Sequence, residues 1–381
     1  MANILDYLTW RGDLRFHERP FNEVDNLIFS ELAYADWGGI VPEDGTRVPL
    51  AEACQHYVND GRDQSYLAND PRPLAEALLQ SERFRDVEMS RYVSKTDTEQ
   101  QLQFAAVTFH LEDGSLYVAF RGTDNSIVGW REDFNMSFLS HTPGQAEAAA
   151  YLDRAAAEND GPILVGGHSK GGNFAVYAAA FCESTPPERI RRVYSNDGPG
   201  FNRAVADDPR VRAVKDKVSL YLPESSLVGM LLDHRARGRV IKSAASGIQQ
   251  HNPYTWLVSS TRFAPAGKLS GGSLFLDEAL GRWLDSLDEG QRARFVSTVF
   301  DTMEASGAMT LQELNENRRL SYSAMLKSLA ALDPAAQKEL LGVLGKLAAA
   351  GTDVFLNEAK KTFEELLQKK DGGTEEKEEK T

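Results

Sequence analysis

Only two cysteines occur in 381 residues, Cys54 and Cys182, too few and too far apart for a disulfide scaffold or a zinc site. There is no His-Glu-x-x-His and no cysteine pair at ligand spacing, so neither a metal centre nor an organic cofactor is implied. No apolar run approaches the length of a membrane helix. The opening residues lack a basic stretch followed by an unbroken apolar one, so no secretory signal is expected and the default location is the cytoplasm. Phosphate-binding signatures are missing too. No Gly-x-Gly-x-x-Gly follows a strand, and Lys170 comes after the serine of its glycine-rich stretch, the reverse of a P-loop. Positive charge is in deficit, with 42 Lys and Arg against 56 Asp and Glu and a formal net charge of −14. Such a surface repels phosphate backbones and anionic lipid, which argues against a nucleic-acid partner.

What remains is a globular composition, 42% hydrophobic and 26% charged, long enough for a large catalytic domain with an appendage. Val24, Leu27, Ile28, Leu32 and Ala35 fall at helical spacing behind Asn22, a good N-cap. Residues 40 to 90 mix helical signals with loops. Gln103 to His110 and Leu116 to Arg121 predict a hairpin about the Asp113-Gly114 turn. Strand and helix then alternate: a helix over 145–157, a strand at Ile163-Leu-Val, a helix from Asn173 to Cys182, and strands at Arg191–Ser195, Val218–Leu222 and Arg239–Lys242. Alternation of this kind predicts an α/β fold, a mostly parallel sheet flanked by helices. From Asp277 the strand signals stop. Capping-box starts at Asp288-Glu-Gly-Gln and Thr310-Leu-Gln-Glu, and Asp333-Pro334, predict helices. The expected organisation is therefore a catalytic domain over 1–276, with a helical lead-in over 1–90, a helical extension over 277–369 and a disordered tail over 370–381.

The chemistry gathers at Gly167-His168-Ser169-Lys170-Gly171. A bare Gly-x-Ser-x-Gly arises by chance in about one chain in ten of this length. Here it follows the apolar run Ile163-Leu-Val and opens a helix, the strand-turn-helix setting of a nucleophile elbow, so Ser169 is the expected nucleophile. His251 lies downstream of every parallel-strand candidate, where the base of such a site belongs, with His234 in reserve. Two carboxylates compete as its partner. Asp197 ends the strand that should neighbour the serine strand and is favoured, and Glu224 ends the next one and is the second choice. Oxyanion donors are expected from the backbone N–H of Lys170 and from the backbone and hydroxyl of Thr123 in Phe120-Arg-Gly-Thr-Asp. Trp130, Phe134, Met136 and Phe138 form an apolar segment beside the site, readable as an acyl pocket or lid (Trp130 and Phe134 as substrate-binding residues) or as core packing.

The series Tyr-Val-Ala-Phe-Arg-Gly-Thr-Asp, Trp130 with Asp133, and Gly-Gly-His-Ser-Lys-Gly-Gly resembles the class 3 (fungal-type) lipases. Still closer is the resemblance to a bacterial family of unknown function in the α/β-hydrolase superfamily, called Mbeg-like. It covers nearly the whole chain, through Asp-Tyr-Leu-Thr-Trp-Arg-Gly-Asp, Asn-Asp-Gly-Pro-Gly-Phe, Ser-Leu-Val-Gly-Met-Leu-Leu and Gln-His-Asn-Pro-Tyr-Thr-Trp. The resemblance implies an α/β-hydrolase fold and a lipase-like serine site, with Ser169, His251 and Thr123 in the roles above. It departs from the class 3 pattern in having no aspartate within Glu224-Ser-Ser-Leu-Val. The expected activity is that of a serine esterase cleaving an ester of an apolar acyl group, a small molecule or a lipid. An acyltransferase using the same site, or an inactive binding scaffold, is the alternative.

Overall fold

The computed structural model describes residues 2–62, 70–271, 274, 281–284, 286–304, 307–310, 313 and 338. Contacts divide the chain into two compact units, Met1–Ser273 and Leu274–Thr381.

The first unit is built on one eight-stranded sheet in which sequence order is spatial order. Its strands are β1 Val48–Pro49, β2 Glu88–Asp97, β3 Leu102–His110, β4 Leu116–Phe120, β5 Ile163–His168, β6 Ile190–Asn196, β7 Val218–Pro223 and β8 Gly238–Ile241. The strands from β1 to β4 pair antiparallel, and those from β4 to β8 pair parallel. The helices are α1 Ile4–Arg11, α2 Glu23–Leu32, α3 Leu50–Asp60, α4 Arg72–Leu78, α5 Ile127–Asn135, α6 Pro143–Ala156, α7 Lys170–Phe181, α8 Arg203–Ala206 and α9 Pro209–Val214. This is an α/β-hydrolase-like fold.

Alternation along the central strands decides which face each side chain joins. Val107, Phe109, Tyr117 and Ala119 enter a core with residues of α1 to α4, among them Leu27, Ile28, Phe29 and Leu74. Phe104, Ala106, Val118 and Phe120 enter the opposite core with Leu152 of α6 and Phe174 of α7. Helix starts follow their side chains. Asn22 and Asp25 cap α2 reciprocally, and Thr142 and Gln145 do the same for α6, which also has Pro143 in its first turn. The N-terminal segment is held by a buried ion pair. Arg83 donates to both oxygens of Asp25, at 2.7 and 2.6 Å, and to the carbonyls of Leu14, Arg19 and Pro20.

Three details differ from the sequence expectations. The lead-in is not wholly helical, since β1 and the start of β2 lie before residue 90. The helix expected to run through Cys182 ends at Phe181, and Cys182 caps it in a half-buried position, whereas Cys54 is buried. The segment after Ser126 divides: Trp130 and Phe134 are 37% and 41% exposed, Met136 is in the core, and Phe138 is half-buried.

In the second unit the helix Glu289–Glu304 opens with the reciprocal Asp288–Gln291 box, and buries Val296 and Phe300. The Glu313 N–H bonds the hydroxyl of Thr310. The helix expected at Asp333-Pro334 and the tail from 370 lie outside the described residues. Among the described residues no helix is long and apolar enough to cross a membrane.

Candidate active site

β5 ends at His168, and the chain turns at Ser169 with φ 56° and ψ −132° before entering α7 at Lys170. A residue with a Cβ rarely adopts this conformation, and it projects a side chain clear of the strand end. The turn closes because the glycines two residues to either side of Ser169 have no side chains. A Cβ on Gly167 would lie 2.3 Å from the Gly171 carbonyl carbon, and one on Gly171 would lie 2.1 Å from the Phe120 oxygen. The backbone is pinned by the Ser169 N–H to the Asn196 carbonyl at 3.0 Å. Among the described residues the Ser169 hydroxyl makes no hydrogen bond, and the residue is half-buried.

Asp197 follows β6, the parallel neighbour of β5, so serine and aspartate leave adjacent strand ends. It too has a left-handed backbone, φ 51°, and its N–H bonds the Tyr221 carbonyl at 2.9 Å. Its carboxylate is fully buried. Oδ2 meets His251 Nδ1 at 2.6 Å, and Oδ1 accepts from the Ser226 hydroxyl at 2.5 Å. His251 ends a short 3₁₀ turn, Gly247–His251. The structure thus brings Asp197 and His251 together and leaves Nε2 as the available ring nitrogen. Among the described residues no hydrogen bond or ion pair joins Glu224 to them. It follows β7, and its backbone bonds Ile241 and Ser270. His234 turns its Nε2 to the Gly229 carbonyl, 2.8 Å away. Ser226 opens the Ser-Leu-Val-Gly-Met-Leu-Leu stretch, but nothing in the sequence pointed to its bond with Asp197.

The 121–124 loop lies against the nucleophile, since a Cβ on Gly122 would come within 3.0 Å of the Ser169 Cβ. Among the described residues the N–H groups of Thr123 and Lys170 have no protein partner. For Lys170 this is the ordinary state of a first-turn amide, which also sits at the positive end of the α7 dipole. The hydroxyl of Thr123 differs from expectation. It donates to Asp133 Oδ2 at 2.6 Å, so its proton is directed away from an oxyanion whenever Asp133 is ionised. Burial raises the Asp133 carboxyl to about 6, against the opposing pull of Lys170 and the Thr123 hydroxyl.

The Lys170 side chain is buried and reaches Glu132 Oε2 at 3.1 Å and Asp133 Oδ1 at 3.9 Å. Glu132 also accepts from the backbone N–H groups of Gln103 (3.1 Å) and Gly144 (2.7 Å). One carboxylate therefore ties α5, the start of β3, the start of α6 and the elbow helix. Asn135 adds a bond from α5 to Gln101 at 2.7 Å. This wiring fixes the inner face of α5, while Trp130 and Phe134, one turn apart, stay on its exposed face.

A family model described as Mbeg1-like matches residues 78–301. The chain belongs to the Mbeg1-like family. That match takes in β2 to β8 and every residue of the site just described. No curated protein matches this Mbeg1-like chain. Among solved structures, the native Rhizomucor miehei lipase propeptide complex aligns at 16% identity over 57% of this chain and 67% of that one, with a TM-score of 0.35. M37 lipase aligns at 16% identity over 54% and 68%, with a TM-score of 0.33.

Proposed function

We propose that this Mbeg1-like protein is a serine-dependent carboxylic ester hydrolase. The observation that carries the reading is the 2.6 Å bond between His251 Nδ1 and the buried Asp197, beside a serine held at φ 56° on an elbow. Asp197 fixes the imidazole's orientation and tautomer, so that Nε2 accepts the Ser169 proton as the hydroxyl oxygen attacks the ester carbonyl. The carbonyl oxygen becomes an anion, for which the backbone N–H groups of Lys170 and Thr123 are the donors. His251 returns the proton to the departing alcohol. Water, deprotonated by the same ring, then releases the acid from the acyl-enzyme. Trp130 and Phe134 on α5 offer apolar surface beside the Thr123 loop and favour an apolar acyl group.

Treatment with a fluorophosphonate probe, followed by peptide mass spectrometry, tests this directly. Ser169 should carry the adduct, and Ser169→Ala should carry none. Asp197→Asn should slow labelling by about 10³-fold or more, on the scale of other orienting aspartates, whereas Glu224→Gln should leave it within a few-fold. Labelling that survives Asp197→Asn but collapses in Glu224→Gln reverses the assignment of the acid. An unlabelled, folded protein defeats the hydrolase reading.

A further inference from the structure

His168 stands inside the elbow, one residue before the nucleophile, and is buried. Its two ring nitrogens have unlike partners. Nε2 lies 2.9 Å from the backbone carbonyl of His251, and Nδ1 lies 3.0 Å from the Tyr34 hydroxyl. A carbonyl can only accept, so Nε2 carries the proton. Burial holds the ring well below the usual histidine range, so it is neutral and Nδ1 must accept. The Tyr34 hydroxyl is therefore the donor to Nδ1. Burial lifts that phenol well above its ordinary range, and the Gly122 backbone N–H faces the same oxygen. The approach is close: a Cβ on Gly122 would come within 2.2 Å of Tyr34 Oη. The His168 and His251 rings also pack directly, with centroids 4.6 Å apart and planes at 36°. Glu31 Oε1 stands off at 3.6 Å from Nδ1, too far to replace the tyrosine.

We propose that Tyr34 and His168 are positioning residues, a hydrogen-bonded strut from the Gly122 loop through the elbow to the backbone of His251. The strut sets the base in register with the nucleophile and with the oxyanion donors. An ordinary buried histidine needs two partners of any kind. Here one partner is the main chain of the base itself, and the other touches the loop that carries Thr123. The Tyr34 hydroxyl also stands 3.5 Å from the His168 carbonyl, but the 3.0 Å approach to Nδ1 is the shorter one, so the strut has one favoured hydrogen-bonded arrangement. The inference rests on the proposed roles of Ser169 and His251, but its geometry can be read without catalysis.

The test uses the full chain with two readouts. One is the rate of fluorophosphonate labelling at Ser169. The other is the low-field proton resonance of His251 Nδ1–H in its short bond to Asp197, assigned by its loss in Asp197→Asn. His168→Ala should slow labelling about tenfold or more, since small misplacements of a catalytic group are costly, and should shift or broaden the resonance. His168→Gln keeps an amide donor at the reach of Nε2 and should recover most of both. Tyr34→Phe keeps the ring and removes only the donor to Nδ1. It should give an intermediate loss, and it carries the test if His168→Ala does not fold. Parent-like labelling and an unmoved resonance in Tyr34→Phe and His168→Ala overturn the strut. If the parent does not label yet the resonance shifts in these variants, the strut stands and the esterase reading fails.

Discussion

Glu31 is a buried carboxyl close to His168. Burial raises its carboxyl to about 8, and Oε1 has no hydrogen-bond partner. The folded protein holds this proton more tightly than the unfolded chain between about pH 4.5 and pH 8. Stability attributable to Glu31 is therefore fully present below that window, falls as the pH rises through it, and is lost above it. Asp133, raised to about 6, adds a smaller loss of the same sign at lower pH. Glu31→Gln removes the larger part. Thermal melts from pH 5 to 8.5 should show the variant losing less stability than the parent, by a few kcal/mol at the alkaline end. Parallel melting curves would mean that Glu31 keeps its ordinary acidity. At this scale the sequence displayed Ser169 and His251 through motif and chain order. It left Asp197 and Glu224 both standing, because each ends a strand and only folding shows which end faces His251. The roles of Tyr34, Glu31 and Ser226 were not legible, since α2, the turn that follows it and the turn after β7 bring them to the site from distant parts of the sequence.

Among the elements, α5 bears the clearest test. Glu132 holds it through Lys170 and two backbone amides. Lys170→Met leaves the carboxylate with both amides, whereas Glu132→Ala deprives two N–H donors of their acceptor and leaves the buried ammonium only Asp133, 3.9 Å away. Breaking a buried pair from one side costs about 3–5 kcal/mol. Chemical denaturation should place Glu132→Ala at or above that loss and Lys170→Met clearly below it, and the reverse order would show that the ammonium, not the amides, is the main tie. The parallel half of the sheet was legible in advance because strands buried on both faces are short apolar runs between helices. β2 was not. Its register with β3 shifts between Ser90 and Val93, with Arg91 at φ 56°. A bulge of that kind breaks the two-residue alternation by which a strand is recognised. The division of the α5 segment into exposed aromatics and a core methionine was likewise beyond composition, which sees only apolar residues.

For the whole molecule, the sheet and the candidate site belong to Met1–Ser273. We propose that this unit is the catalytic domain, close to the boundary at 276 expected from the loss of strand signals. A chain ended after Ser273 should melt cooperatively and take the fluorophosphonate label at Ser169. A truncated chain that folds but no longer labels would assign the second unit a part in the site. Two backbone positions in this unit have a wider consequence. Ser169 and Asp197 both sit at positive φ, a conformation that costs a residue with a Cβ about 1 kcal/mol or more and costs glycine little. Selection for foldability alone would install glycine at both. A lineage that abandoned the chemistry should therefore drift toward glycine at these two sites sooner than elsewhere in the elbow, and its relatives would carry the record of that loss in two letters of their sequences.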